Sequence, residues 1–91
     1  MERLLFIMQS EIIKKLKRII VGQLNLPEHA ITLDTKFHAN LGMDSIDVIN
    51  FIQAVNMEFN LQLTEQDVLH IETMQEMVAC IEARINKKSQ S

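Results

Sequence analysis

Asp44-Ser45-Ile46-Asp47 places a hydroxyl between two carboxylates. Leu41-Gly42 just before it reads as a turn, because glycine reaches backbone angles that other residues avoid. Asp44 and Ser45 are both good helix N-cap types. From Ser45 onward apolar residues recur at helical spacing with no Gly or Pro to interrupt them. The serine therefore sits at the first turn of a helix. Helix starts attract anions, since their backbone N–H groups are unpaired and the dipole is positive there. A phosphate carried on Ser45 would fit those surroundings. The residues by themselves leave a plainer alternative, a serine that caps a helix and does nothing more.

Other chemistries find less support. A hydrolase nucleophile would call for a G-x-S-x-G elbow after a strand and a base within reach. The elbow is missing, and nothing brings His38 or His70 to Ser45. His29, His38 and His70 are dispersed without metal-ligand spacing. The stretch from Asp34 lacks the alternating oxygen ligands and the closing glutamate of an EF-hand. Asp44 and Asp47 are accounted for by helix capping rather than as an acid/base pair. Cys80 is the only cysteine, which excludes an internal disulfide and a Cys-based zinc site. It reads as a packing or surface residue. No catalytic residue and no metal ligand is expected.

The elements that must position Ser45 are helical. The chain has 91 residues, enough for one domain with a modest core. Gly and Pro are scarce, Trp and Tyr are absent, and period-two β-branched runs are not evident. An all-α domain follows. A first helix is expected over roughly Leu4 to Leu24, with Leu5, Met8, Ile12, Leu16 and Ile19 on one face and Ile13 and Ile20 widening it. Met8 offers an alternative start, so residues 1–7 read either as an extension with contacts of its own or as a frayed end. Asn25-Leu26-Pro27 closes this segment, since proline disfavours helix in the residue before it. A long loop follows, from about Pro27 to Met43, with Ile31, Leu33, Phe37 and Leu41 available to pin it.

The second helix is expected from Ser45 to Phe59. At helical spacing Val48, Phe51, Ile52, Val55 and Phe59 share the core face. Ile46, Ile49, Asn50, Gln53, Asn56 and Met57 point the other way, flanked by Asp47 and Glu58. Exposed Ile46, Ile49 and Met57 beside Ser45 read as a docking surface, or as ordinary scatter of surface apolars. Leu61 and Leu63 return the chain to the core. Thr64 and Asp67 open a short third helix, Glu65 to His70, too short to be stable alone. Thr73 and Glu76 form a capping box for a last helix ending near Asn86, with Met74, Met77, Val78, Ile81 and Ile85 inward. Residues 87–91 read as a loose tail.

The net charge of −3 conceals an asymmetry. From Phe37 to Ala83 there is no Lys or Arg, while Asp44, Asp47, Glu58, Glu65, Asp67, Glu72, Glu76 and Glu82 all lie there. Such a middle repels nucleic acid and favours basic protein partners. No apolar run is long enough for a membrane span. Leu4 to Met8 lacks the flanks of a signal peptide, so a cytoplasmic location and no stable membrane insertion are expected.

Leu41-Gly42-Met43-Asp44-Ser45-Ile46 resembles the LGxDS[LI] signature of acyl carrier proteins. The resemblance extends from about Ile31 to Ile85, and the first helix is compatible with it. It implies a small four-helix bundle of acyl-carrier type, with a long loop between helices 1 and 2 and a short helix 3, over residues 1–91 as a single domain. It implies that Ser45 bears a covalent 4′-phosphopantetheine arm taken from coenzyme A by a phosphopantetheinyl transferase. The chain would then be a carrier and not an enzyme. Asp44 would meet a basic transferase residue, and Asp44, Ile46, Asp47, Ile49, Met57 and Glu58 would face acyl-loading, ketosynthase or acyltransferase partners. Phe51, Val55, Leu63, Val68 and Ile71 would shelter the acyl chain, and the six methionines either fill gaps or let the core part to admit it. A monomer is expected.

One departure from the housekeeping fatty-acid pattern stands out. Asn50, Asn56 and Met57 occupy positions where that pattern has acids. Surface charge mainly sets on-rate and selectivity, so a dedicated lipid, fatty-acid or polyketide pathway is expected. The housekeeping carrier is a second reading. A third, from another class, is an unmodified helical adaptor that kept the carrier fold and binds a protein partner.

Overall fold

In the computed structural model the backbone is described for residues 2–90 and the side chains for residues 9–87. Among the described residues three α-helices carry the fold: α1 (Glu2–Leu24), α2 (Ser45–Phe59) and α3 (Met74–Gln90). Two 3₁₀ turns lie between them, at Glu28–Ala30 and Gln66–Val68. Among the described residues no strand forms; Lys36 and Thr73 make an isolated antiparallel bridge.

In α1, Ile12, Leu16 and Ile20 stack at intervals of four and are buried, so the stripe centres on Ile20 while Ile19 is only partly covered. The side chains of Leu5 and Met8, expected on the same stripe, lie outside the described residues, as do those of residues 1–7 and 88–91. Truncating Leu16, fully buried, to Ala should cost about 2–5 kcal/mol. The helix stops at Leu24, as the Asn25-Leu26-Pro27 run predicts, and Asn25 is the residue that turns the chain. Asn25 adopts a left-handed φ of 56° and its N–H donates to the Val21 carbonyl at 2.9 Å. Asparagine tolerates that conformation better than most residues. The same device ends α2, where Asn60 has φ 55° and the Leu61 N–H donates to the Asn56 carbonyl at 3.0 Å. Pro27 instead precedes the first 3₁₀ turn.

The long loop is ordered by the start of α3. Met74 N–H donates to the Thr35 carbonyl at 3.0 Å, Gln75 N–H to the Leu33 carbonyl at 2.9 Å, and Phe37 N–H to the Glu72 carbonyl at 2.9 Å. Loop carbonyls thus satisfy donors that a helix start leaves orphaned. Thr35, a buried polar residue, is locked to Thr32, whose N–H donates to Thr35 Oγ1 at 2.8 Å. Ile31, Phe37 and Met43 are the buried anchors of the loop. Leu41 is half-buried. Leu33, expected to pin it, is 40% exposed, and its backbone rather than its side chain makes the attachment.

The third helix expected over Glu65 to His70 is a single 3₁₀ turn. Its bonds run from i to i+3: Asp67 N–H to Thr64 O at 3.1 Å, Val68 N–H to Glu65 O and Leu69 N–H to Gln66 O at 3.3 Å. So short a segment is set by its ends rather than by helix propagation. At one end Thr64 and Asp67 cap each other: Thr64 N–H donates to Asp67 Oδ2 at 2.8 Å and Asp67 N–H to Thr64 Oγ1 at 3.3 Å. The Asp67 carboxylate also meets Arg84 of α3 at 2.9 Å. The box expected at the start of α3 forms as well, with Thr73 N–H donating to Glu76 Oε1 at 3.0 Å and Glu76 N–H to Thr73 Oγ1 at 3.2 Å. Met74, Met77, Val78 and Ile81 are buried along α3 and Ile85 partly so. The helix runs on to Gln90, past the expected end at Asn86 and into the expected tail.

Candidate functional site

Ser45 is reached through a tight run of backbone bonds. Asn40 N–H donates to Lys36 O at 2.9 Å, Gly42 N–H to His38 O at 3.1 Å, and Met43 N–H back to Phe37 O at 3.0 Å. Gly42 takes φ +66°, a conformation that glycine adopts at least cost. His38 closes the turn from the side, its Nδ1 donating to the Met43 carbonyl at 2.6 Å. With Met43 buried beneath it, the chain enters α2 in a fixed direction.

Two residues could have capped α2, and Asp44 does so. Asp47 N–H donates to Asp44 Oδ1 at 2.9 Å, and Asp44 N–H returns a bond to Asp47 Oδ2 at 3.2 Å. This capping box occupies both carboxylates with backbone donors. It also removes the reading of Ser45 as the cap. Ser45 is the first helical residue, exposed, and among the described residues its hydroxyl has no hydrogen-bond partner. The N–H groups of Ser45 and Ile46 likewise have no acceptor among the described residues. An anion on the Ser45 oxygen would meet two unpaired amides at the positive end of a 15-residue helix. The site therefore fits a phosphodiester. The start of α2 is tied to α1 by Gln23, whose Nε2 donates to the Asp47 carbonyl at 2.7 Å.

Beside Ser45 opens a cleft of about 300 Å³. Phe51, Val68 and Ile71, three of the five residues expected to shelter a chain, line it. Val55 and Leu63 do not; both are buried in the core behind it. Phe37 packs on Phe51 with ring centroids 5.4 Å apart and planes at 46°, forming one wall. Met43, Val48, Leu69 and Met77 complete the apolar lining, and His38, Glu65 and Glu72 add polar groups. None of these seven was singled out from the sequence as lining a site. The helical periodicity of Val48 and Met77 marked them as inward, but not towards which neighbour.

On the outer side of α2, Ile46 is 69% and Met57 86% exposed, with Ile49 open as well. Asp44 and Glu58 are exposed and Asp47 is half-buried. Leu69, from the second 3₁₀ turn, adds another apolar side chain at 66% exposure. Asn50 and Gln53 lie on this surface, but Asn56 does not belong to it. Asn56 Nδ2 donates to the Leu63 carbonyl and its Oδ1 accepts from Leu63 N–H, both at 2.9 Å. Its carboxamide is a brace for the α2–Leu63 connection, half-buried and paired like a strand edge. Val48 and Phe59 are only partly buried, and Lys15 of α1 lies over the Phe59 ring at 5.7 Å.

Backbone and side-chain donors from Thr64, helped by Arg84, hold the Asp67 carboxyl below the usual carboxylate range. Backbone N–H groups of Glu72 and Thr73 do the same for Glu76. Burial pushes the Cys80 thiol up, which suppresses the thiolate and leaves it a packing group. Among the described residues no three His, Cys, Asp or Glu side chains gather as a metal site.

A family model described as "Phosphopantetheine attachment site" matches residues 14–81. The "Acyl carrier protein" of Cyanidium caldarium is 32% identical over 81 residues, covering 89% of this chain and 94% of that protein. The "Acyl carrier protein" of Phytoplasma australiense is 30% identical over 74 residues, covering 81% of this chain and 97% of that protein.

Proposed function

This chain belongs to the acyl carrier protein family, and from that membership we propose that Ser45 is its attachment residue and that it serves a dedicated lipid, fatty-acid or polyketide pathway. The protein is a phosphopantetheine-carrying acyl carrier without catalytic activity of its own. The arm supplies a terminal thiol on which an acyl group is held as a thioester. What the chain contributes is placement. Asp44 caps α2 and so leaves the Ser45 hydroxyl exposed, and the Ser45 and Ile46 amides face the same helix end. That exposed hydroxyl, unpartnered at the lip of a cleft of about 300 Å³, is the observation that carries the assignment.

Family membership implies a phosphopantetheinyl transferase and acyl-handling enzymes as partners. Our finer reading is that ketosynthase or acyltransferase partners dock on Ile46, Ile49 and Met57, with Asp44, Asp47 and Glu58 at the margin, and that the protein works as a monomer and one domain. Among the described residues no helix is long and apolar enough to cross a membrane; a cytoplasmic site of action is part of the same proposal. We read the Gln66–Val68 turn as this protein's form of the short third helix of the carrier bundle. The apolar lining of Phe51, Val68 and Ile71 is read as the shelter for the acyl chain. The sparse charge of the outer α2 face, with Asn50 and Met57 in place of acids, supports a dedicated partner set over housekeeping fatty-acid enzymes.

The test is intact mass after incubation with coenzyme A and a broad-specificity transferase. A single phosphopantetheine adduct is expected on the native chain and none on Ser45→Ala. An adduct that survives Ser45→Ala refutes the assignment. A native chain that takes no adduct favours an unmodified adaptor.

A further inference from the structure

We propose that His38 is a positioning residue for the phosphodiester that Ser45 carries, gripping it when the ring is protonated and releasing it when the ring is neutral. This rests on the reading of Ser45 as the attachment residue. Both side chains border one cleft and both residues are exposed, which puts them at its rim. The imidazole is anchored two residues ahead of Ser45, where its Nδ1 donates to the Met43 carbonyl at 2.6 Å. With about 3.8 Å between successive Cα atoms, Ser45 Cα lies no more than about 7.6 Å from Met43 Cα. The ring and the Ser45 hydroxyl thus share one short stretch of backbone and one side of the rim.

That anchor fixes which nitrogen titrates. A carbonyl oxygen only accepts, so Nδ1 keeps its proton in both charge states. The neutral ring therefore has its lone pair on Nε2, and the charged ring has an N–H there. A phosphodiester offers acceptors only. The lone pair gives it nothing, and the charged N–H gives it a charge-assisted hydrogen bond. No other side chain at the rim can supply a positive charge. Among the described residues no Lys or Arg lines the cleft, and none occurs between Phe37 and Ala83. The charged groups around the ring come from each neighbouring element. Glu65, just before the second 3₁₀ turn, and Glu72, just ahead of α3, line the cleft and compete for the charged ring. Asp44 and Asp47 at the start of α2 are each engaged by the other's backbone N–H, and the positive end of α2 opposes the charged ring. Lys36 in the loop stands outside the lining, and α3 itself contributes only Met77. A phosphodiester adds a fixed anion to this set and favours the charged ring.

The experiment follows the ³¹P signal and the imidazole ¹⁵N signals of the full chain, loaded with phosphopantetheine, from about pH 5 to 8, the window of an ordinary imidazole. A phosphodiester has no proton to lose in that window, so movement of its ³¹P signal reports a neighbour's. In the native protein the ³¹P signal should shift along a single-proton curve, and the His38 ¹⁵N signals should follow the same curve. At the alkaline end they should show the Nδ1–H tautomer. His38→Asn keeps an amide donor for the Met43 carbonyl and removes Nε2, while His38→Gln keeps a longer amide and removes the charge. Both should hold the ³¹P signal still, with the Met43 and Asp44 amide signals of His38→Asn showing that the turn has kept its form. His70→Gln should leave the native curve unchanged. A flat ³¹P profile in the native protein overturns the proposal and leaves Ser45 as the attachment residue. A curve that survives both His38 variants, a curve that vanishes in His70→Gln, or an Nε2–H tautomer at the alkaline end overturns it as well. A chain that takes no phosphopantetheine on Ser45 overturns both readings.

Discussion

Replacing Asn56 with aspartate changes one atom's chemistry and little volume, and it should be among the more damaging changes on α2. The Asn56 carboxamide spans the Leu63 peptide, donating to its carbonyl and accepting from its N–H, each at 2.9 Å. A carboxylate in its place would keep the acceptor and lose the donor. One hydrogen bond is worth about 1 kcal/mol net, and leaving the Leu63 carbonyl without its partner costs about 1–3 kcal/mol more. With Leu63 itself buried, solvent does not readily make good the loss. A total of about 2–4 kcal/mol corresponds to a fall of roughly 10 °C or more in Tm for a domain of this size. The effect should depend on pH. The introduced carboxyl, once protonated, can donate to the carbonyl, so its folded pKa lies above its unfolded value. That stabilisation is fully present below the unfolded pKa and is lost as pH rises through the folded one. The Asn56→Asp penalty should therefore be largest near neutrality and shrink in acid, as read by thermal melts of both proteins across pH. A penalty below about 0.5 kcal/mol at neutral pH, the range of ordinary surface changes, would refute the brace. So would a penalty that grows in acid.

Asn50 is the matched contrast, because it is exposed and braces nothing. Asn50→Asp should leave Tm within the surface range of about 0.5 kcal/mol and raise turnover with a housekeeping ketosynthase; unchanged turnover would remove the charge argument for a dedicated partner set. Gly42→Ala meets open space at its Cβ but must hold φ +66°, so the cost should be the left-handed strain alone, about 1–2 kcal/mol, measurable by denaturant unfolding; no loss would mean that the turn relaxes to another conformation. Acid should destabilise the protein through Asp67 and Glu76, whose folded pKa values lie below the reference values of 3.8 and 4.5. Their contribution is present above the unfolded values and is lost as pH falls through the folded ones. Glu76→Gln should accordingly flatten the fall in Tm on acidification, and an unaltered profile would show that its capping bonds carry no such linkage.

The contrast between Asn50 and Asn56 marks where the sequence was legible and where it was not. Helical spacing placed Phe51, Ile52 and Val55 inward, and all three are buried. It placed Ile46, Ile49 and Met57 outward, and all three are exposed. Periodicity treats Asn56 as one more outward polar residue, because it sees only the angle about the helix axis. The partner that claims Asn56 is a peptide seven residues further on, beyond the helix end. Caps were legible for the same local reason that Asn56 was not. Thr73 with Glu76, and Thr64 with Asp67, satisfy each other within three residues. At Asp44-Ser45 the sequence offered two caps, and only the geometry decides between them.

Only part of the cleft, Phe51, Val68 and Ile71, was named in advance, because no single periodicity describes it. Its walls come from the loop (Phe37, His38, Met43), from α2 (Val48, Phe51), from the second 3₁₀ turn and its flanks (Glu65, Val68, Leu69, Ile71), and from α3 (Met77). Each was assignable to an element, yet the space they enclose depends on how the loop is attached. That attachment runs through backbone groups of Leu33, Thr35 and Phe37 to Gln75, Met74 and Glu72, and side-chain patterns carry little information about such bonds. It follows that the loop and α3 form one mechanical unit, with Phe37 held against Phe51 on one side and bonded to Glu72 on the other. The wall formed by Val68 and Leu69 is hung differently, on the Thr64–Asp67 box and the Asp67–Arg84 pair, with 3₁₀ bonds of 3.3 Å between. Weak i→i+3 bonds open at lower cost than loop carbonyls that satisfy a helix start. If the cleft widens for a longer chain, the Gln66–Val68 turn is the wall that yields, and amide exchange on acylation should rise at Val68 and Leu69 before it rises at Met74 and Gln75. The opposite order would place the moving wall in the loop.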